Sequence, residues 1–152
     1  MTLTTETLTL KRTLQASPER VFNAWIDPEL LVQWFGPVGF SVVDTQMHVE
    51  SGGQYEITIA SQNQRITHFG KYITVAKFYQ LIFTWVLSDQ DCNGSKGLCG
   101  DTLVTLNFSG RNQNQLTDLE LIHERLPNAK AKKGHEFGWR SSLDCLDHFL
   151  GR

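Results

Sequence analysis

The sequence predicts an α+β domain: a curved antiparallel sheet of six to seven strands against one long C-terminal helix, with two short helices after the first strand. Three observations carry that expectation. From residue 40 to residue 124 apolar side chains recur with a period of two, the spacing of strands with one buried face. Ser17-Pro18 and Asp27-Pro28 are two helix-start signals close together near the beginning of the chain. Trp139, Ser142, Leu143, Leu146, Phe149 and Leu150 then follow the three-and-four spacing of an amphipathic helix.

Residues 7–14 read as the first strand, with Leu8, Leu10 and Arg12 on one face against threonine and lysine. Ser17 is a good N-cap, and Pro18 suits a first helical position whose N–H needs no partner. Val21, Phe22 and Trp25 give that helix an apolar face as far as Ile26. Asp27 starts a second short helix carrying Leu30, Leu31 and Trp34, which Gly36-Pro37 ends. Strands are expected at 40–49, 54–59, 67–75 and 80–86, with turns at Gly52-Gly53 and at the polar residues 61–65. Residues 87–101, rich in Gly, Ser and Asp, read as a loop. Two more strands, 102–108 and 116–124, flank the polar tip 110–115, and 127–134 breaks the pattern before the closing helix. No repeat or linker divides the chain, so residues 1–152 are expected to form one domain. Strands joined in succession by short turns pair antiparallel.

At 152 residues the chain can bury a real core. A formal charge of -2 gives no electrostatic reason to expect nucleic acid or an anionic membrane as partner. No signal-peptide pattern opens the sequence and no run of about eighteen apolar residues occurs, so the cytoplasm is the expected location. Three cysteines, an odd number, argue against a closed disulfide framework. Cys92 and Cys99 share one loop, and Cys145 falls on the apolar helix face.

Several segments resemble one family in order along the chain. RTLQASPERVFNAWIDPELLVQWFGP, from Arg12 to Pro37, resembles the opening of proteins related to the activator of the heat-shock protein 90 ATPase. Gly52-Gly53-Gln54-Tyr55 resembles their glycine-pair strand start, and Gly70-Lys71-Tyr72 with Leu81-Ile82-Phe83-Thr84-Trp85 their central hairpin. The run from Thr117 to His123, with Gly138-Trp139 through Leu146, resembles their last strand and closing helix. The resemblance implies the START-like (SRPBCC) helix-grip fold, whose members often enclose an apolar cavity between sheet and long helix. Carriers, receptors, cyclases and co-chaperone modules share that fold, so it does not choose a function.

Alternation assigns the strand faces. Asp118, Glu120 and Glu124 share one side with Ile122, which turns Thr117, Leu119, Leu121 and His123 inward. Tyr55, Ile57, Ile59, Leu81, Phe83, Trp85, Val104, Leu106 and Phe108 point inward by the same rule. Lys71 outside places His68, Gly70 and Tyr72 inside. Most of these are core residues in any reading. The candidate ligand contacts are Trp34, Tyr55, His68, Tyr72, Phe83, Trp85, His123 and Trp139, an apolar lining with a few polar points. A ligand burying on the order of 300 Å² gains roughly 7 kcal/mol gross. Association removes at least about 4 kcal/mol of it. Trp34-Phe35 is either the rim of an entrance or a plug between helix and sheet.

Catalytic and metal motifs fail on inspection. His135-Glu136-Phe137-Gly138-Trp139 begins like a zinc-protease helix, but position 139 is not the second histidine. Cys92 and Cys99 do not make a four-ligand zinc site. Neither a phosphate-binding loop nor a nucleophile elbow is present, and no cofactor or metal is expected. The first expectation is a binding module holding a small hydrophobic molecule in a continuous cavity between closing helix and sheet. The second is a co-chaperone or stress-response module with a protein partner, exposing an apolar patch near residues 38–40 or on the outer sheet face; in either case the chain is expected as a monomer or homodimer. The third is an enzyme on an aromatic or polyketide-like substrate, with His123 or His68 as base beside Tyr55 or Glu120.

Overall fold

Ser17 starts the first helix by accepting the Arg20 N–H on its Oγ at 3.2 Å, giving α1 (Pro18–Ile26). Asp27 repeats the device on Glu29 at 3.0 Å and opens α2 (Pro28–Leu31). The second helix is shorter than its sequence pattern predicts. Trp34 and Phe35 follow it in a turn, and both are buried. The structure, a computed structural model, describes residues 5–88 and 98–151, with backbone alone at 88 and 98–100.

Around these helices run β1 (Glu6–Leu14), β2 (Ser41–Met47), β3 (Gln54–Ala60), β4 (Arg65–Ala76), β5 (Gln80–Ser88), β6 (Leu98–Arg111) and β7 (Leu116–Leu126), and α3 (Ala129–Leu150) closes the chain. The sheet is antiparallel throughout, in the order β1-β7-β6-β5-β4-β3-β2. The helix lies across β1 and β7, which makes this a helix-grip fold.

Two boundaries depart from the sequence expectation. β6 begins at Leu98, inside the segment read as loop, because Asp101 pairs with Val86 and Leu98 with Ser88. Ladder hydrogen bonds there outweigh a loop-like composition. The long helix begins before Gly134, which it contains. Asn128 caps it by accepting the Ala131 N–H at 2.8 Å, and the helix formers that follow carry it through the glycine. Cys92 lies outside the described residues, as does any pairing with Cys99. Cys145 is a free thiol partly buried against the core.

The inward faces are those that alternation assigns. Thr117, Leu119, Leu121 and His123 are buried, as are Leu81, Phe83, Trp85, Val104, Leu106 and Phe108. Arg12 shares the face of Leu8 and Leu10 and reaches α3, where it holds Asp144 at 2.7 Å. Gly70 is needed where β4 approaches β5: an added Cβ would collide with the Thr84 carbonyl oxygen. That same oxygen accepts the Tyr55 hydroxyl at 2.6 Å.

Candidate functional site: an aromatic interior under the long helix

Rings fill the space between α3 and the sheet. Trp25 of α1 meets Trp34 at 4.8 Å between centroids, and Trp139 of α3 meets Trp85 of β5 at 5.0 Å. Phe35 sits among them, 6.5 Å from both Trp85 and Trp139. Trp34 and Phe35 therefore form a plug and not a rim. His68 of β4 stacks on Trp85 at 4.2 Å with 24° between planes. Tyr55, Tyr72 and Phe83 make a second group, joined to the first by the 6.4 Å contact of Phe83 with Trp85. All eight candidate residues thus lie in one interior.

One polar chain crosses it. The Trp139 Nε1–H donates to His123 Nδ1 at 3.0 Å. An indole nitrogen only donates, so Nδ1 is an acceptor and the imidazole proton sits on Nε2. Nε2 then donates to Thr102 Oγ1 at 2.6 Å, and the Thr102 hydroxyl donates to the Trp85 carbonyl at 2.7 Å. Burial first, then the nearby His135, lowers the His123 pKa to about 3. A neutral imidazole with both nitrogens engaged has no lone pair for a substrate proton, which withdraws His123 as the base of the simplest catalytic reading. Glu120 is likewise unsuited as an inner partner: it faces outward, accepting from Asn107 at 3.0 Å.

His68 is also neutral near pH 7, its pKa lowered to about 4 by burial and then by His135. His135 itself donates Nδ1–H to the Ala131 carbonyl at 2.8 Å. Burial raises the phenol pKa of both Tyr55 and Tyr72, so they too are uncharged.

Among the described residues a void of about 20 Å³ lies between Trp25, Phe35, Tyr55, Tyr72, Phe83 and Trp85 with three aliphatic neighbours. That is room for a single water. The continuous cavity expected from the sequence is not found among the described residues, and Phe35 and Trp139 stand where it would run. Trp25 lines the void, and its buried Nε1–H has no partner among the described residues. Alternation could not reveal this plug, since Phe35 comes from a turn and not from a strand face.

A larger hollow of about 460 Å³ lies on the outer sheet face among Lys11, Asn107, Arg111, Asp118 and Glu120. Its polar groups satisfy one another: Asp118 accepts from Thr13 at 2.7 Å and from Arg111 at 2.9 Å. Among the described residues, no group of three or more His, Cys, Asp or Glu is placed to hold a metal ion.

The sequence model of the Activator of Hsp90 ATPase homolog 1-like protein family matches residues 15–151. The chain belongs to that family. The Activator of 90 kDa heat shock protein ATPase homolog of Dictyostelium discoideum is 27% identical over 146 residues, which are 95% of this chain and 33% of that protein. The chain thus spans about a third of the length of that relative. Among solved structures, protein CV1439 of Chromobacterium violaceum is 26% identical with a TM-score of 0.80, covering 96% of this chain and 97% of its own. The AHSA1 (SPO3351) protein of Silicibacter pomeroyi is 27% identical with a TM-score of 0.80, covering 96% and 98%. Both share the fold of this Activator of Hsp90 ATPase homolog 1-like domain. No helix among its described residues is long and apolar enough to cross a membrane.

Proposed function

We propose that this domain is a protein-binding module of the chaperone-regulating type, acting in the cytoplasm on a chaperone of the 90-kDa heat-shock class. One contrast carries the reading: the interior has room for one water, while Val38 and Phe137 are each 76% exposed. The two border the same residue. The Val38 N–H donates to Ser141 Oγ at 2.9 Å, and Ser141 lies one helical turn beyond Phe137. Exposed apolar side chains gathered in one place mark a contact surface. Phe40, also expected in that patch, instead packs partly against the core. The Dictyostelium relative, by its name, is an activator homologue for such a chaperone.

The test is titration calorimetry of the purified domain against the purified chaperone, with chaperone ATPase measured alongside. Association is expected, and Phe137→Ala should weaken it about tenfold or more with an unchanged melting temperature. No association and no effect on ATPase would sink the proposal.

A second reading keeps the small hydrophobic ligand, and the partnerless Trp25 N–H beside the void favours it. Here Trp34, Tyr55, His68, Tyr72, Phe83, Trp85, His123 and Trp139 are the proposed contacts, after Phe35 swings out. Of roughly 7 kcal/mol gross and 4 kcal/mol association cost, about 3 kcal/mol remains. Exposing Phe35 removes about 2 kcal/mol more. The balance is too small for a tight carrier, which is why this reading stands second. Native mass spectrometry of the purified protein checks it by the presence of a co-purified small molecule.

A further inference from the structure

The helix face that carries Phe137 is charged, and its charge selects an occupant. Resting on the protein-binding reading, we infer that the first half of α3 docks an acidic peptide segment of the partner that also carries apolar side chains. Phe137 is the apolar anchor, and Lys130 and Lys133 are the charged flank. Lys130, Lys133, Gly134 and Phe137 are all exposed, and their three-, four- and seven-residue spacings put them on one face of α3.

The free charge on this face is positive. Lys132 is within 4.0 Å of Glu6, and Arg140 holds Glu136 at 3.0 Å. Asp144, further along the same face, is held by Arg12 at 2.7 Å. Lys130 and Lys133 have no ion pair among the described residues. Beside Phe137 the surface is open, since a Cβ added at Gly134 or Gly138 would meet nothing within 4 Å. Val38, bonded through its N–H to Ser141, stands near this step. A partner side chain can thus reach the helix backbone alongside Phe137, with acidic neighbours meeting the lysines. Recognition of acidic motifs by a cationic cluster is a recurring binding mode.

An anionic lipid surface is the competing occupant, and it fits less well. Lipid recognition calls for about four to eight clustered cations, whereas the unpaired cations on this face, among the described residues, are Lys130 and Lys133 alone.

The experiment uses the intact protein and three probes. These are the purified 90-kDa chaperone, a short synthetic peptide of Asp and Glu with two leucines, and the same peptide with Lys replacing its acids. The acidic peptide is expected to bind and the lysine peptide not. The double variant Lys130→Glu/Lys133→Glu should bind the acidic peptide and the chaperone about tenfold more weakly. Raising salt should weaken the wild type toward the variant. Equal binding of both peptides would overturn the inference. So would a double variant with undiminished chaperone affinity, or binding to phosphatidylserine vesicles in place of peptide. The last two results leave the protein-binding reading to its own test, whereas a wild type that ignores the chaperone removes that reading first. Because the substituted lysines are exposed, an unchanged melting curve shows that the variant is folded.

Discussion

Trp139 donates its indole proton to His123 Nδ1 across 3.0 Å, and this bond joins the long helix to the sheet inside a largely aromatic interior. Removing either end strands the other. His123→Ala leaves the Trp139 N–H and the Thr102 hydroxyl short of a partner and opens a hole at a residue with no exposure. A loss of about 3–4 kcal/mol is expected in urea denaturation. Thr102→Val keeps the volume and should cost about 1–2 kcal/mol.

Acid should weaken the fold through the same residue. The folded pKa of His123, about 3, lies below the ordinary 6.5, so the unfolded chain takes up a proton that the folded one refuses. The contribution is complete above pH 6.5 and shrinks on acidification toward pH 3. It amounts to about 3 kcal/mol between pH 6.5 and 4. His68, lowered to about 4, acts in the same direction and window. Urea midpoints measured from pH 7 to 4 should fall for the wild type and fall less for His123→Phe. A flat wild-type profile contradicts the assignment.

Three tryptophans differ in what their N–H groups do, and conservative replacement should rank them. Trp139 donates to His123 and Trp34 to the Ala24 carbonyl at 3.0 Å, whereas Trp25 Nε1 has no partner among the described residues. Trp139→Phe should cost most, about 2–3 kcal/mol, because it leaves His123 Nδ1 unpaired. Trp25→Phe removes an unsatisfied donor along with some volume and should stay within about 1 kcal/mol of the wild type. The reverse order would show that packing, not hydrogen bonding, sets these values.

Two kinds of glycine should respond oppositely to alanine. At Gly134 and Gly138 an added methyl meets nothing, so each substitution should stabilise α3 by about 0.5–1 kcal/mol. Calorimetry would show the melting temperature rising by roughly 2–4 °C. Gly70→Ala should cost at least about 2 kcal/mol, because β4 must move off the Thr84 carbonyl that also holds Tyr55.

Which parts were legible in the sequence follows from the range of the forces involved. Ser17, Asp27 and the alternating strands act within a few residues, so the early helices and the inward faces through Trp85 and His123 could be read directly. The start of α3 was misplaced because Gly134 looked like a breaker, while Asn128 and the helix formers after it decide the boundary. The β6 boundary was lost because Leu98 and Asp101 are strand residues only by virtue of Ser88 and Val86 opposite. The filled interior was hardest to foresee. It depends on Phe35, delivered by a turn, meeting Trp139 from the far end of the chain, and no periodicity encodes that meeting.

The gathering of indoles under α3 also gives the molecule a built-in optical gauge. All four tryptophans of the chain, Trp25, Trp34, Trp85 and Trp139, belong to that one cluster, and none lies beside Phe137 on the helix surface. Intrinsic emission should therefore shift when anything enters or loosens the interior, and change little when a partner settles on the outside of the helix. The light the protein gives off on its own should tell guest from neighbour.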